Sequence, residues 1–335
     1  MKHRLSTSIR RVGLLAGGVA VAATLSLAAH AADKVSVRTD WFFSAYHSPF
    51  FIGIEKGFYK DAGLEVTPTE GRGSGQVVQL VGTNEDQFGF AATDAVFRAV
   101  EKGVPVIAIA NVMPEMGQAI YVLKKSGITD PKQLKGKTIA ITPGGTNEAL
   151  LPAMLKNAGL SIDDLKQISV SPANKVRMFM EGQFDAIMAT AWARALFDPV
   201  GGAEMFVYSD YGVSMVGYNI VANPEWAAKN PDIAKRFVAA TMKAWEYAKA
   251  HPEEALEALA KHSPNNAKEA NRNRNSKDFP DALKFVGHAV EGKPMGYHNA
   301  KAWQDTQEML LKVGVVEKRV PLDQIFTNAY VTDSM

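Results

Sequence analysis

The chain contains no cysteine. That excludes disulfides, thiolate metal sites, a cysteine nucleophile and a lipid anchor attached through an N-terminal Cys. After the first thirty or so residues it also lacks any apolar run near the ~20 residues a membrane-spanning helix needs. There is no G-x-S-x-G elbow, no H-E-x-x-H and no P-loop, and no cofactor or metal is expected. A bias of charge is missing too. The formal net charge is +2, but Lys2, Arg4, Arg10 and Arg11 stand in a leader without acids, so residues 32–335 carry −2. No basic stripe runs along them, and no nucleic-acid partner is expected.

The leader has a basic start, the apolar "VGLLAGGVAVAATLSLAA" and small residues at "AHA", the pattern of an export signal cut near Ala31. Paired arginines in "SIRRVGLL" leave the general and twin-arginine routes open. The remainder, 32–335, is longer than one core comfortably fills, so two lobes are expected.

Short apolar runs alternate with helical patterns. "KVSVRTD", "LEVTPTE", "FGFAAT" and "VPVIAIANV" read as strands, and after "AIYVLKK" the rhythm restarts with "KTIAITP", "KQISVSP", "FDAIMATA" and "EMFVYSD". Such spacing implies βαβ units, an α/β fold and mostly parallel sheets flanked by helices. The two sets echo each other in "QFGFAATDA" and "QFDAIMATA", and each has a Gly-rich turn, "GRGSGQ" and "PGGTNE". From Asn223 onward the pattern is helical. The polar "NNAKEANRNRNSKD" reads as an exposed connection or frayed helix, and His251, His262, His288 and His298 as surface residues.

The stretch "TDWFFSAYHSPFFIGIEKGFY" holds one Trp, five Phe, two Tyr and a His. Pro49 argues against a buried helix running through it, so the rings either cap a core or line a ligand site. In "GRGSGQ", Ser74 and Gly75 belong either to a structural turn or to a helix N-terminus facing a ligand oxygen. A dinucleotide reading fails at Gln76. In "TPGGTNEALL", Gly145 permits close approach of the backbone, and Thr146 or Asn147 either caps the helix or contacts a ligand. Thr93 and Asp94 lie past a strand's carboxyl end, where open α/β sheets place ligands, although Asp94 equally suits an N-cap. His47 is a core histidine or a ligand contact, and Trp192 is core or cleft. Trp245, Tyr247 and Trp303 sit at amphipathic spacing and are assigned to packing.

"DWFFSAYHSPFFIGIEKGFYKDAGLEV", "FGFAATDAVFRAVEKGVPVIAI", "DPKQLKGKTIAITPGGTNEALLPAMLKNAG" and "GQFDAIMATAW" together resemble the nitrate/sulfonate/taurine/thiamine-precursor class of periplasmic substrate-binding proteins. The resemblance implies the two-lobe type II fold with a ligand cleft between the lobes. One lobe is then 32–121 plus 218–335 and the other 122–217, with crossings in "AIYVLKK" and near Tyr218; Tyr218 and Phe42 are taken as further ligand contacts. It also implies a periplasmic, monomeric, non-enzymatic protein that hands a small-molecule ligand to the membrane permease of an ABC importer. Asp40-Trp41 followed by His47 is similar to the branch that binds pyrimidine precursors of thiamine, where the Trp stacks on the ring and the His donates to it. Phe42 opens the intervening "FFSAY", where that branch usually has Pro and Asn. The expected ligand is thus a planar heterocycle, with a sulfonate or similar anion as alternative. A pyrimidine-processing enzyme is the alternative of another class; the cysteine-rich motif of the related eukaryotic synthases has no counterpart here.

Overall fold

The computed structural model describes residues 31–143 and 146–332. Residues 1–30 of the expected export signal and Gly145, together with the side chain of Thr146, lie outside the described residues. Among the described residues, ten strands form two five-stranded sheets. The first contains β1 (Asp33–Arg38), β2 (Leu64–Thr69), β3 (Phe88–Ala92), β4 (Ile107–Asn111) and β10 (Tyr218–Ala222), in the order β2-β1-β3-β10-β4. The second contains β5 (Gln118–Leu123), β6 (Thr138–Ile141), β7 (Lys166–Ser169), β8 (Ala186–Thr190) and β9 (Ala203–Val207), in the order β7-β6-β8-β5-β9. Each sheet is parallel except for one strand. That strand, β10 in the first and β5 in the second, arrives from the other half of the chain and pairs antiparallel with both neighbours.

The internal likeness is therefore real, but its register differs from the letters. Val37 pairs with Phe88 as Ile139 pairs with Ala186. One residue earlier, Ser36 N–H and Oγ donate to Gln87 Oε1, while Thr138 N–H and Oγ1 donate to Asp185 Oδ2. Asp185, not Gln183, thus occupies the place of Gln87. What recurs is a side-chain acceptor that closes the start of the central strand pair, satisfying a backbone donor that the ladder leaves over.

The expected first crossing moves. "AIYVLKK" lies within β5 and its downstream turn, and β5 pairs along its length with β8 and β9, so the crossings are 112–117 and 213–217. They run side by side: Gly217 N–H donates to Met113 O at 3.0 Å and Met116 N–H to Met215 O at 2.9 Å. A Cβ on Gly217 would stand 2.5 Å from Glu115 O and 2.7 Å from Met113 O, closer than real contacts allow, so only glycine lets the strands touch here.

Two expectations about polar segments also change. "NNAKEANRNRNSKD" belongs largely to the helix Glu269–Leu283, whose Asn275, Asp278, Phe279 and Ala282 are buried. His298 is buried rather than at the surface; it accepts from Trp303 Nε1 at 3.1 Å, and burial pushes its pKa down to about 3. Pro49 is buried without breaking a helix because it sits in the first turn of Ser48–Glu55, where its missing N–H would have had no partner.

Candidate functional site

A cavity of about 430 Å³ opens between the two sheets. Its first-sheet wall is the loop after β1. Gly73 N–H donates to Asp40 O at 2.7 Å and Gly71 N–H to Trp41 O at 3.3 Å, so the "GRGSG" turn clamps this loop. A Cβ on Gly71 would lie 2.0 Å from Thr39 O, which explains the glycine without a ligand. On the far side, Asn266 Nδ2 donates to Phe43 O and is itself held near Asn275, whose Nδ2 donates to Asn266 Oδ1. Pinned at both ends, the loop presents Trp41 and Phe42 half-buried to the cavity, their rings edge-to-face at 5.9 Å.

Behind them Asp40, only 5% exposed, accepts from Tyr46 Oη (3.0 and 3.1 Å) and His47 Nε2 (2.8 Å). His47 Nδ1 accepts from Ser44 N–H at 3.2 Å. Both ring nitrogens of His47 are therefore engaged within the protein and the ring is fully buried, which leaves it no N–H for the donation expected of it. It positions Asp40 instead. Tyr46 and Tyr218 are both held well above the usual phenol range, first by burial and then by the adjacent Asp40 charge.

From the second sheet come Trp192, just past β8, and the pair Lys175–Glu148. Trp192 packs against Tyr46 (5.2 Å between centroids) and Tyr218 (6.4 Å), and its Nε1 has no hydrogen-bond partner among the described residues. Lys175 Nζ lies 3.3 Å from Glu148 Oε1, burial lowers its pKa, and Glu148 also accepts from Thr142 N–H at 2.6 Å.

Of the sequence-predicted residues, the cavity gathers Trp41, Phe42, Ser74, Asn147, Trp192 and Tyr218. Ser74 Oγ is already used, accepting from Ala92 N–H at 3.0 Å, and Gly75 is outside the lining. Thr93 and Asp94 are corrected: both are fully buried and away from the cavity. Thr93 Oγ1 donates to Gly217 O at 2.8 Å and accepts from Asn219 Nδ2, bracing the second crossing, while Asp94 pairs with Arg98 at 2.6 Å. Nor is Asp94 the N-cap, which is Ala92.

Sequence reasoning missed Asp40, Gln118, Lys175, Arg274 and Asp278, all of which line the cavity. Asp278 Oδ1 accepts from Ala195 N–H of the second half at 3.0 Å, and burial raises its pKa to about 7. A signal existed in the helix: Asn275, Phe279 and Ala282 recur at one-turn spacing, so Asn275 belongs to a buried stripe.

A family model described as "NMT1/THI5 like" matches residues 44–255, more than half the chain. The chain belongs to the NMT1/THI5-like family. A Haemophilus influenzae protein named for thiamine biosynthesis is 26% identical over 307 residues, covering 90% of this chain and 93% of its own. The 4-amino-5-hydroxymethyl-2-methylpyrimidine phosphate synthase of Aspergillus parasiticus is 25% identical over 239 residues, covering 67% and 69%. Among solved structures, the alkanesulfonate-binding protein SsuA from Xanthomonas axonopodis pv. citri, bound to MOPS, superposes with a TM-score of 0.69 at 18% identity, covering 88% of this chain and 98% of that one. The periplasmic nitrate-binding protein NrtA from Synechocystis PCC 6803 gives 0.65 at 16%, covering 89% and 87%. The fold is thus that of the periplasmic binding proteins. The expectation of a non-enzymatic protein is overturned: family relatives carry the name of a synthase, an enzyme. Among the described residues no three His, Cys, Asp or Glu gather as metal ligands, and no helix is long and apolar enough to cross a membrane.

Proposed function

We propose that this NMT1/THI5-like protein is exported to the periplasm and binds a small planar heterocycle, of the thiamine-pyrimidine type, in the cleft between its sheets. In this reading it works as a monomer and delivers the solute to the permease of an ABC importer. The observation that carries the reading is the cavity's ring-lined wall. Trp41 and Phe42 are half-buried at its face, and Tyr46, Tyr218 and Trp192 close its floor. Flat aromatic faces of this kind hold a planar ligand by stacking, and a cavity of this size belongs to the range of small-molecule sites. Asp40, itself in the lining, is held by His47 Nε2, and the helix Glu269–Leu283 adds Asn275 and Asp278 to the lining.

The direct test is mass spectrometry of whatever small molecule is released on denaturing protein purified without prior unfolding. A thermal-shift panel follows, with 4-amino-5-hydroxymethyl-2-methylpyrimidine and an alkanesulfonate as the two principal arms. A ligand at a hundred times its dissociation constant adds about 2.7 kcal/mol of stability. A shift with the pyrimidine supports the proposal; a shift with the sulfonate alone transfers the cleft to the anion class. Product formation in the same samples would add catalysis to binding, in line with the synthase names of its relatives.

A further inference from the structure

Five charged side chains line the cleft, and their pairing is uneven. Lys175 faces Glu148 at 3.3 Å, and Arg274 Nε faces Asp278 Oδ2 at 3.8 Å. The third acid, Asp40, has no Lys or Arg partner among the described residues. Its donors are the hydroxyl of Tyr46 and the imidazole of His47. Because Nδ1 of that imidazole accepts from Ser44 N–H, its single proton sits on Nε2 and the ring brings no charge. The ring-lined end of the cleft therefore holds one unneutralised carboxylate.

A second feature points the same way. Gln118, 1% exposed and in the cavity lining, spends its Nε2 on Tyr218 Oη and Met116 Sδ, while its Oε1 has no partner among the described residues. A buried acceptor without a donor is costly, and the cheapest remedy is a donor brought in by a ligand. A carboxylate has about four lone-pair sites, so Asp40 keeps acceptor capacity beyond Tyr46 and His47.

Resting on the reading of the cleft as a planar-ligand site, we infer that it selects a ligand with a cationic, N–H-donating edge, of amidinium or protonated aminoheterocycle type, and rejects carboxylates and sulfonates. Asp40 is the specificity-determining residue, and Gln118 Oε1 supplies a second acceptor. Charge-assisted hydrogen bonds are the stronger ones, and a like charge brought against a buried carboxylate is penalised. This separates the chain from proteins of the same fold that hold anions.

The test uses full-length mature protein and three near-isosteric probes, benzamidine, benzamide and benzoate, titrated by calorimetry at pH 8 beside 4-amino-5-hydroxymethyl-2-methylpyrimidine. The expected order is benzamidine, then benzamide, then benzoate, with at least about tenfold between the first and last. Asp40→Asn should bring that ratio to within about threefold, by removing the charge that sets it. Benzoate binding wild-type protein as tightly as benzamidine overturns the inference, as does benzamidine failing where the pyrimidine binds. If none of the four binds, the planar-cleft reading beneath it falls as well. The wild-type series decides the matter even if Asp40→Asn does not fold.

Discussion

The two sheets share a strand order and differ in what covers them. In the first, β3, β4 and β10 are buried at every residue, and rings stack through the core: Phe88 on Phe237 at 3.8 Å, Phe90 on Tyr218 at 5.0 Å and on Trp245 at 5.7 Å. In the second, edge strand β7 is exposed at every residue, including Ile168, and a small separate core forms around Tyr121, Phe179 and Phe197. The cleft walls differ in the same sense. The first is aromatic over a buried acid, whereas the second carries the Lys175–Glu148 pair. One frame thus serves two ends: the first half holds most of the ring wall in place, and the second adds one ring, Trp192, among aliphatic side chains and a single ion pair.

The largest expected effect breaks the first half. Phe90→Ala removes the ring against which Tyr218 and Trp245 stack, and should cost about 3–5 kcal/mol by urea denaturation. Phe197→Ala should cost a comparable amount in the second half. Only Phe90→Ala, however, should also weaken ligand binding in the protein that remains folded, because only it undercuts the ring wall. Equal effects on binding would erase the distinction between the halves.

Next comes the ion pair of the second wall. Lys175→Met leaves Glu148 as a largely buried carboxylate without its cation, and breaking such a pair costs about 3 kcal/mol. The double variant Lys175→Met, Glu148→Gln should recover part of that loss. A single variant as stable as wild type would show that the pair does not hold the second wall.

A smaller effect sharpens the comparison where the halves meet. Burial raises the pKa of Asp278 from 3.8 to about 7. Between those values the folded protein holds a proton that the unfolded chain has released, so this group's contribution to stability falls as pH rises through the window and levels off above it. Urea midpoints at pH 5, 6 and 7.5 should show that slope in wild type and lose it in Asp278→Asn. Parallel profiles would contradict the assignment.

The strand-and-helix rhythm was legible because parallel strands buried on both faces read as short apolar runs between helical stretches. Sheet membership was less so. "AIYVLKK" is apolar wherever it pairs, and nothing in its letters says that β5 belongs with β8 and β9 rather than with the first sheet. At the site, Trp41 and Trp192 could be found from rings near strand ends. Asp40, Gln118 and Asp278 could not, because a polar residue facing a cleft has the same pattern as one facing solvent; the stripe in Glu269–Leu283 marks Asn275 as buried but does not place it at the cleft. His298 misled in the converse way, since a histidine held by one tryptophan N–H needs no surface. Thr93 and Asp94 occupy the strand end where ligands bind in this architecture, yet the crossing at Gly217 and the side chain of Arg98 use their polar atoms first.

The measurement that bears most directly on the ring-walled cleft pairs two numbers for Trp41→Ala: the melting temperature without ligand, and the affinity for whichever solute the panel identifies. Trp41 is half-buried at the cavity face, and its carbonyl, which the substitution retains, makes the contacts to Thr39 Oγ1 and Gly71 N–H. The account predicts a near-normal melting temperature with binding weakened by about 2 kcal/mol or more, the loss typical of a stacking anchor. A strongly destabilised protein that binds as tightly as wild type would contradict it, returning Trp41 to the core and leaving the cleft without its ring wall.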